Sequence, residues 1–178
     1  MKKLISLALA ALLCLCMLVP ACAQTSLPFR VFQKNFNAVY QSQVGGAQVL
    51  WHTATMDGQT VMVPMADDMT MLAMVTLDGM NVRQIVITHN GPADSNEAMA
   101  FVIKAALTGA ALTRGDYATP TDAFGGCILQ GNDAMMAFMQ GRTGSFAMWG
   151  AACMIQIAPH GDGTYDYMLI IIPQAISQ

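Results

Sequence analysis

Three residues near the C-terminal end have the types found in thiol-dependent hydrolases. Cys153, His160 and Asp162 lie within ten positions of one another. Catalytic sets of this kind are assembled in space from distant positions, so the short spacing does not indicate a triad. The acidic residues fall mostly at predicted turns and helix starts, with no pair placed for general acid–base work, and no glycine-rich stretch matches a phosphate-binding loop. We therefore expect a protein that is not an enzyme and that uses no cofactor.

Methionine is the second residue type with chemistry to offer. The chain has 16 methionines, and five of them fall within thirteen residues: Met62, Met65, Met69, Met71 and Met74. Thioethers are soft ligands that suit Cu(I). A hairpin with a three-residue loop would bring Met65, Met69 and Met71 near His52, as in an exported Cu(I)-binding protein. The same residues suit a core as gap-filling apolar side chains, and this interpretation is favoured over a metal site.

The first 23 residues have the composition of a signal peptide. Lys2 and Lys3 precede an apolar run over residues 4–19, which is shorter than the roughly 20 residues of a transmembrane helix. The small residues Ala21-Cys22-Ala23 then suit cleavage before Gln24. We expect residues 1–23 to be removed and residues 24–178 to form a single exported domain, secreted or periplasmic.

A second form of processing is open at the same place. Val19-Pro20-Ala21-Cys22 resembles a bacterial lipobox, in which Cys22 becomes the lipidated first residue. The protein would then be anchored at the cell envelope, and the lipid would be its only contact with a membrane.

Composition excludes two classes of protein. Hydrophobic residues make up 54% of the 178 residues and charged residues only 11%, which excludes a disordered chain. The formal net charge is −3, and it becomes −5 when Lys2 and Lys3 are removed. No cluster of Lys or Arg lies beyond residue 3, so we expect no nucleic-acid partner.

The order of predicted elements indicates an α+β fold. Apolar periodicity and turn signals predict a helix capped by Ser26, a four-strand meander, two or three helices and a C-terminal hairpin. The meander strands are predicted at 48–56, 59–65, 69–77 and 80–88, the helices at about 94–112, from 119 and at 132–140, and the last strands at 145–158 and 165–173. The result is an antiparallel sheet of about six strands with helices packed mainly on one face.

The second sheet face is the predicted interaction surface. With a three-residue loop at 66–68, one face of the meander is almost wholly apolar and is the predicted core face. The other face mixes threonines with large apolar side chains and one arginine: Trp51, Met62, Leu72, Met74, Arg83, Ile85 and Ile87. An apolar patch left open by the helices is typical of an association site. The last strands or the helices could instead cover it, and its occupant could be a second copy, a foreign protein or an apolar ligand.

Two cysteines remain beyond the signal peptide. Cys127 lies on the apolar side of a predicted helix, and Cys153 lies on the apolar side of a predicted strand. Export favours oxidation, so we expect a structural disulfide between them, with two buried free thiols as the alternative. The favoured hypothesis is therefore an exported, non-enzymatic protein-association or binding module.

Overall fold

The computed structural model describes residues 27–65, 72–92, 95–131, 136 and 143–173. Within these residues the chain forms three α-helices, one short 3-10 helix and seven strands. The helices are α1 (Phe29–Gln43), α2 (Ser95–Leu112) and α3 (Pro120–Gln130), with the 3-10 turn at Arg114–Asp116. The strands are β1 (Leu50–Met56), β2 (Gln59–Met65), β3 (Leu72–Asp78), β4 (Asn81–Pro92), β5 (Gly144–Met148), β6 (Ala151–Pro159) and β7 (Thr164–Pro173).

The strands form a single antiparallel sheet in the order β1-β2-β3-β4-β7-β6-β5. The α+β class and the antiparallel sheet are confirmed, and the sheet has seven strands where about six were predicted. The additional strand arises at Trp149-Gly150, where both residues have positive φ, 57° and 63°. This tight turn divides the predicted strand 145–158 into β5 and β6 because two such residues suit a two-residue hairpin loop.

The two predicted aspartate–glycine turns differ in the structure. Asp57 and Gly58 both have positive φ and join β1 to β2, as a type I′ turn requires. At the β3–β4 turn, Asp78 pairs with Asn81 as the last pair of the ladder. The two central residues of this turn are therefore Gly79 and Met80, not Asp78 and Gly79. Gly79 alone has positive φ, which fits a glycine in the first central position. The β3–β4 turn is therefore one residue later than predicted.

Helix α1 begins at Phe29, after Pro28, without a side-chain cap among the described residues. Its start is held by the sheet instead. The Phe29 N–H donates to the Met80 carbonyl, and the Val82 N–H donates to the Leu27 carbonyl, both at 2.9 Å. The predicted cap, Ser26, lies outside the described residues.

The other two helices lie close to the predicted ranges. Helix α3 starts as predicted, with Thr119 Oγ1 accepting from the Asp122 N–H at 3.1 Å and Pro120 in the first turn. Of the predicted helix at 132–140, only Met136 is described, and it is helical.

The sheet residues that belong to the main hydrophobic core all lie on one face, which we call the core face. It carries Trp51, Met62, Ala73, Val75, Ile85, Ile87, Cys153, Ile155, Tyr167, Leu169 and Ile171, and buried residues of all three helices join the same cluster. The opposite face carries Met56, Met65, Met74, Met154 and Met168 at matching register positions, and we call it the methionine face.

Two shifts in register rearrange the predicted faces. The β2–β3 ladder pairs Met62 with Val75, where a three-residue loop would have paired Met62 with Leu72. A bulge at Thr76/Leu77 then shifts β3 against β4 by one residue. Side chains alternate between the two faces of a sheet. A register shift by an odd number of residues therefore moves the side chains of the shifted strand to the opposite face. The predicted core face is therefore wrong for β1, β2 and the middle of β4, and the positions of His52 and Met65 lie on the methionine face.

Candidate functional site

The centre of the methionine face is a row of apolar side chains that crosses four strands. Met74 pairs with Val86, Val86 with Ile170, and Ile170 with Met154. Val86 and Ile170 are only 1% and 2% exposed, and neither belongs to the main core cluster. Met74 and Met154, at the ends of this row, are partly exposed. Val86 and Ile170 are therefore buried outside the main core, between two partly exposed methionines.

Around this row the methionine face carries neutral polar side chains together with further apolar ones, and it carries little charge. Thr76, Gln84, Thr88 and Gln156 flank the central row. Among the described strand residues of this face, the formally charged side chains are Asp78 and Asp166, both near strand ends. Asp166 accepts a hydrogen bond from Asn90 at 2.8 Å, and its other oxygen lies 2.9 Å from His160 Nε2. The face thus has an apolar centre flanked by neutral polar side chains, and it carries almost no charge.

Four of the seven residues predicted for the interaction face lie on the core face. Ile85 and Ile87 are fully buried, and Trp51 and Met62 pack partly buried against the same core. The Trp51 ring meets three rings of α1 edge-on, with centroid distances of 5.4 Å to Phe29, 6.0 Å to Phe32 and 5.4 Å to Phe36. Trp51 thus packs against α1, and all four residues belong to the core side of the sheet, so they do not form an open surface together with Met74.

Of the other three predicted residues, Leu72 and Met74 hold alternate positions of β3 and therefore share the methionine face. Met74 lies on the methionine face and is partly exposed. Leu72 pairs with Thr88 at the start of β3. Arg83 is the extra residue of the β4 bulge, between Val82 and Gln84. The second register shift explains the division, because it places Ile85 on the face opposite Met74.

The predicted Cu(I) group is only partly described. His52 pairs with Val63 and Met65 pairs with Leu50, so the two side chains are diagonal neighbours on the methionine face. Met69 and Met71 lie outside the described residues. In the described part of the chain, no three His, Cys, Asp or Glu side chains come together as a metal-binding group. The Cu(I) site stays a prediction.

The predicted disulfide is absent from the structure, in which Cys127 and Cys153 are both free and buried. Both belong to the main core, as expected, but each thiol contacts oxygen. Cys127 Sγ lies 3.5 Å from Thr113 Oγ1, and Cys153 Sγ donates to the Met148 carbonyl at 3.8 Å. Burial raises the pKa of Cys127 to about 11 and that of Cys153 to about 12.

The thiol triad also does not assemble. Cys153 is buried in the core, whereas His160 contacts Asp166, and Asp162 accepts from the N–H and hydroxyl of Thr164. Hydrogen bonds from Thr164 lower the pKa of Asp162 and complete the β6–β7 turn. The role of Asp162 is therefore local to this turn.

A buried polar cluster that the sequence analysis missed joins α2 to β4. His89 lies between two side chains of α2, with Nδ1 2.9 Å from Lys104 Nζ and Nε2 2.5 Å from Glu97 Oε2. The His89 side chain is 8% exposed, and Lys104 is 9% exposed. The rings of Phe101 and Tyr167 pack about 6 Å from the imidazole. A charged residue this deeply buried needs such partners.

The spacing along α2 was the signal that could have identified the cluster. Glu97, Phe101 and Lys104 follow one another at i, i+4 and i+7, which places them on one face of a helix. On an otherwise uncharged helix, two opposite charges on the side that faces the sheet indicate a buried polar partner. That partner is His89, close to the end of β4, and only the folded structure brings it there.

Comparison with protein-family models, with curated proteins and with solved structures gave no match for this chain. In the part of the chain that the structure describes, no helix has both the length and the apolar character to cross a membrane.

Proposed function

We propose that this protein is an exported, non-enzymatic association module that binds a protein surface through its methionine face. The observation that supports the proposal is the apolar row Met74–Val86–Ile170–Met154 at the centre of an almost uncharged sheet face. Apolar patches of this kind mark association sites. The centres of such interfaces are rich in methionine and poor in charge.

We infer that the three helices cover the core face and leave the methionine face without a helical layer. Every sheet residue of the main core cluster lies on the core face. Val61, Val86 and Ile170 are buried on the other side and are not members of that cluster. Met74 and Met154, which flank Val86 and Ile170 and are partly exposed, are the side chains of this row that a partner would bury.

The chemistry of the methionine face favours a second copy of this chain as the first partner to test. Sheets pack face to face at about 10 Å, and flexible methionine side chains adapt to the opposing surface. Without residues 1–23 the chain has a net charge of −5, which opposes self-association in general, so a contact between two copies must be apolar and low in charge. Because Asp78 and Asp166 lie near strand ends, two copies would bring little like charge together at the centre of the contact.

The export component of the proposal rests on residues 1–23, which have the composition of a signal peptide. Cleavage before Gln24 gives a secreted or periplasmic protein, and lipidation at Cys22 gives an envelope-anchored one. Mass spectrometry of the protein recovered from its host distinguishes the two forms.

Sedimentation equilibrium over a range of protein concentrations tests the association. We expect the wild-type protein to show a concentration-dependent dimer, and we expect the Met74→Asp/Met154→Asp variant to remain monomeric. Each carboxylate would be buried without a partner in the dimer, at a cost far above the binding energy of a methionine side chain.

Met80→Asp is the matched control. Met80 lies in the β3–β4 turn and is 76% exposed, so the same type of substitution adds a charge without entering the methionine face. This variant should dimerise like the wild type, and all proteins should have the same circular dichroism spectrum. A wild-type protein that stays monomeric up to millimolar concentration would contradict self-association. Dimerisation of the double variant would contradict the proposed face.

A further inference from the structure

The Lys104–His89–Glu97 cluster has one consistent arrangement of protons. Lysine has donors only, so Lys104 donates to His89 Nδ1, and the ring hydrogen is assigned to Nε2, which donates to Glu97. In this arrangement a neutral imidazole joins a cation to a carboxylate. A second proton on His89 would place an N–H at Nδ1, opposite the ammonium group 2.9 Å away, where both groups are donors and both are positive.

The cluster connects α2 to the end of the sheet. Glu97 lies in the first turn of α2, and Lys104 lies two turns later. Glu97 also passes so close to the β4 backbone that a Cβ added at Gly91 would lie 2.8 Å from its Oε2. The described charged and titratable groups that face His89 are therefore Lys104 and Glu97 from α2 and Tyr167 from β7.

We propose that His89 is an acid-sensitive clamp, which holds the first half of α2 on β4 while it is neutral and releases it when it is protonated. This inference concerns the helical side of the sheet and is independent of the proposed association. The proposed clamp differs from an ordinary packing contact, because a polar group that does not titrate would hold α2 equally well at every pH.

The direction of the pH dependence follows from the surroundings of His89. Burial, and after it the charge of Lys104, lower the pKa of His89 from its ordinary value of 6.5, and Glu97 opposes this only in part. As the pH falls, His89 in the unfolded chain therefore binds a proton near pH 6.5, whereas His89 in the folded protein binds it only at a lower pH. The contribution of His89 to stability is complete above pH 6.5 and is lost as the pH falls below that value.

Nuclear magnetic resonance of the purified wild-type protein provides the first test. The Cε1–H signals of the three histidines, His52, His89 and His160, are followed from about pH 8 to about pH 4.5, a range that spans the ordinary histidine pKa. We expect the His89 signal to titrate with a midpoint below the ordinary value of 6.5. A His89 midpoint at or above 6.5 would overturn the clamp, and this measurement needs no variant to fold.

Hydrogen exchange provides the second test, with His89→Gln as the variant. Glutamine has both an acceptor and a donor, so it can serve Lys104 and Glu97 but does not titrate. After correction for the intrinsic rate, the wild-type α2 peptide should lose protection between about pH 7.5 and about pH 5 while the α3 peptide does not. His89→Gln should retain protection in α2, and His52→Gln, the matched control, should behave like the wild type. Equal loss in wild type and His89→Gln would contradict the proposal.

Discussion

At the residue scale, the two cysteines have the environment of core side chains. Cys127 and Cys153 are both buried, each contacts an oxygen atom, and burial raises the pKa of both thiols. Since the thiolate is the reactive form, a rise of each pKa unit lowers reactivity about tenfold at a given pH. The interface that was expected to hold a disulfide contains two thiols that are poor nucleophiles.

Thiol labelling checks this state directly. At about pH 8 the folded protein should react with an aromatic disulfide reagent about 100-fold more slowly than free cysteine, and both thiols should react when it is unfolded. A reductant should leave the melting temperature unchanged. A decrease on reduction would instead show that a bridge forms, because a disulfide closing this loop would contribute about 3 kcal/mol or more.

At the element scale, helix α2 packs closely because small residues line it. Ala105, Ala106, Ala110 and Ala111 are fully buried in the core. Gly109 allows the closest approach, since a Cβ added there would lie 2.2 Å from Trp149 Cδ2. The indole cannot easily move away, because its Nε1–H donates to the Cys127 carbonyl at 3.3 Å. This contact anchors the β5–β6 turn between α2 and α3.

A pair of glycine-to-alanine substitutions separates packing from helix propensity. Gly109→Ala should destabilise the protein by about 2 kcal/mol, because overpacking outweighs the gain in propensity. Gly125→Ala in α3 is the control, since no atom lies within 4 Å of its added Cβ. It should stabilise the protein by about 0.5–1 kcal/mol. Urea denaturation measures both, and a stabilised Gly109→Ala variant would contradict the close Trp149 contact.

At the scale of the whole molecule, one face of the sheet carries the main hydrophobic core and the other does not. Ile85, on the core face, is fully buried in the main core, whereas Met74, on the methionine face, is partly exposed. The proposed clamp and the proposed association surface therefore lie on opposite sides of β4. Their effects should be separable by mutation.

Alanine substitutions in the monomer measure this difference in burial between the core face and the methionine face. Ile85→Ala should cost about 2–5 kcal/mol of the free energy of unfolding, as for a truncation in a packed core. Met74→Ala should cost less than about 1 kcal/mol, because its neighbours and solvent can fill the space. Urea denaturation at a protein concentration too low for association makes the comparison. Equal losses would show that the methionine face is as closely covered as the core face.

Local signals in the sequence determined most of the secondary structure. The apolar periodicity of α1 and α2, Thr119-Pro120 at the start of α3 and Asp57-Gly58 at the first hairpin act over a few residues, and the structure confirms each. The α+β class followed from their order. Trp149-Gly150 was missed because tryptophan suits a strand and is uncommon at positive φ.

The tertiary structure alone decided which residues share a face and which side chains meet. A strand alternates its side chains with a period of two, so the β2–β3 register and the bulge before Gln84 each exchanged the faces. Both depend on pairing between separate strands. In the same way, His89 meets Lys104 and Glu97 only because α2 packs on β4. Short-range preferences specify elements, whereas register and packing are set by contacts between residues distant in the chain.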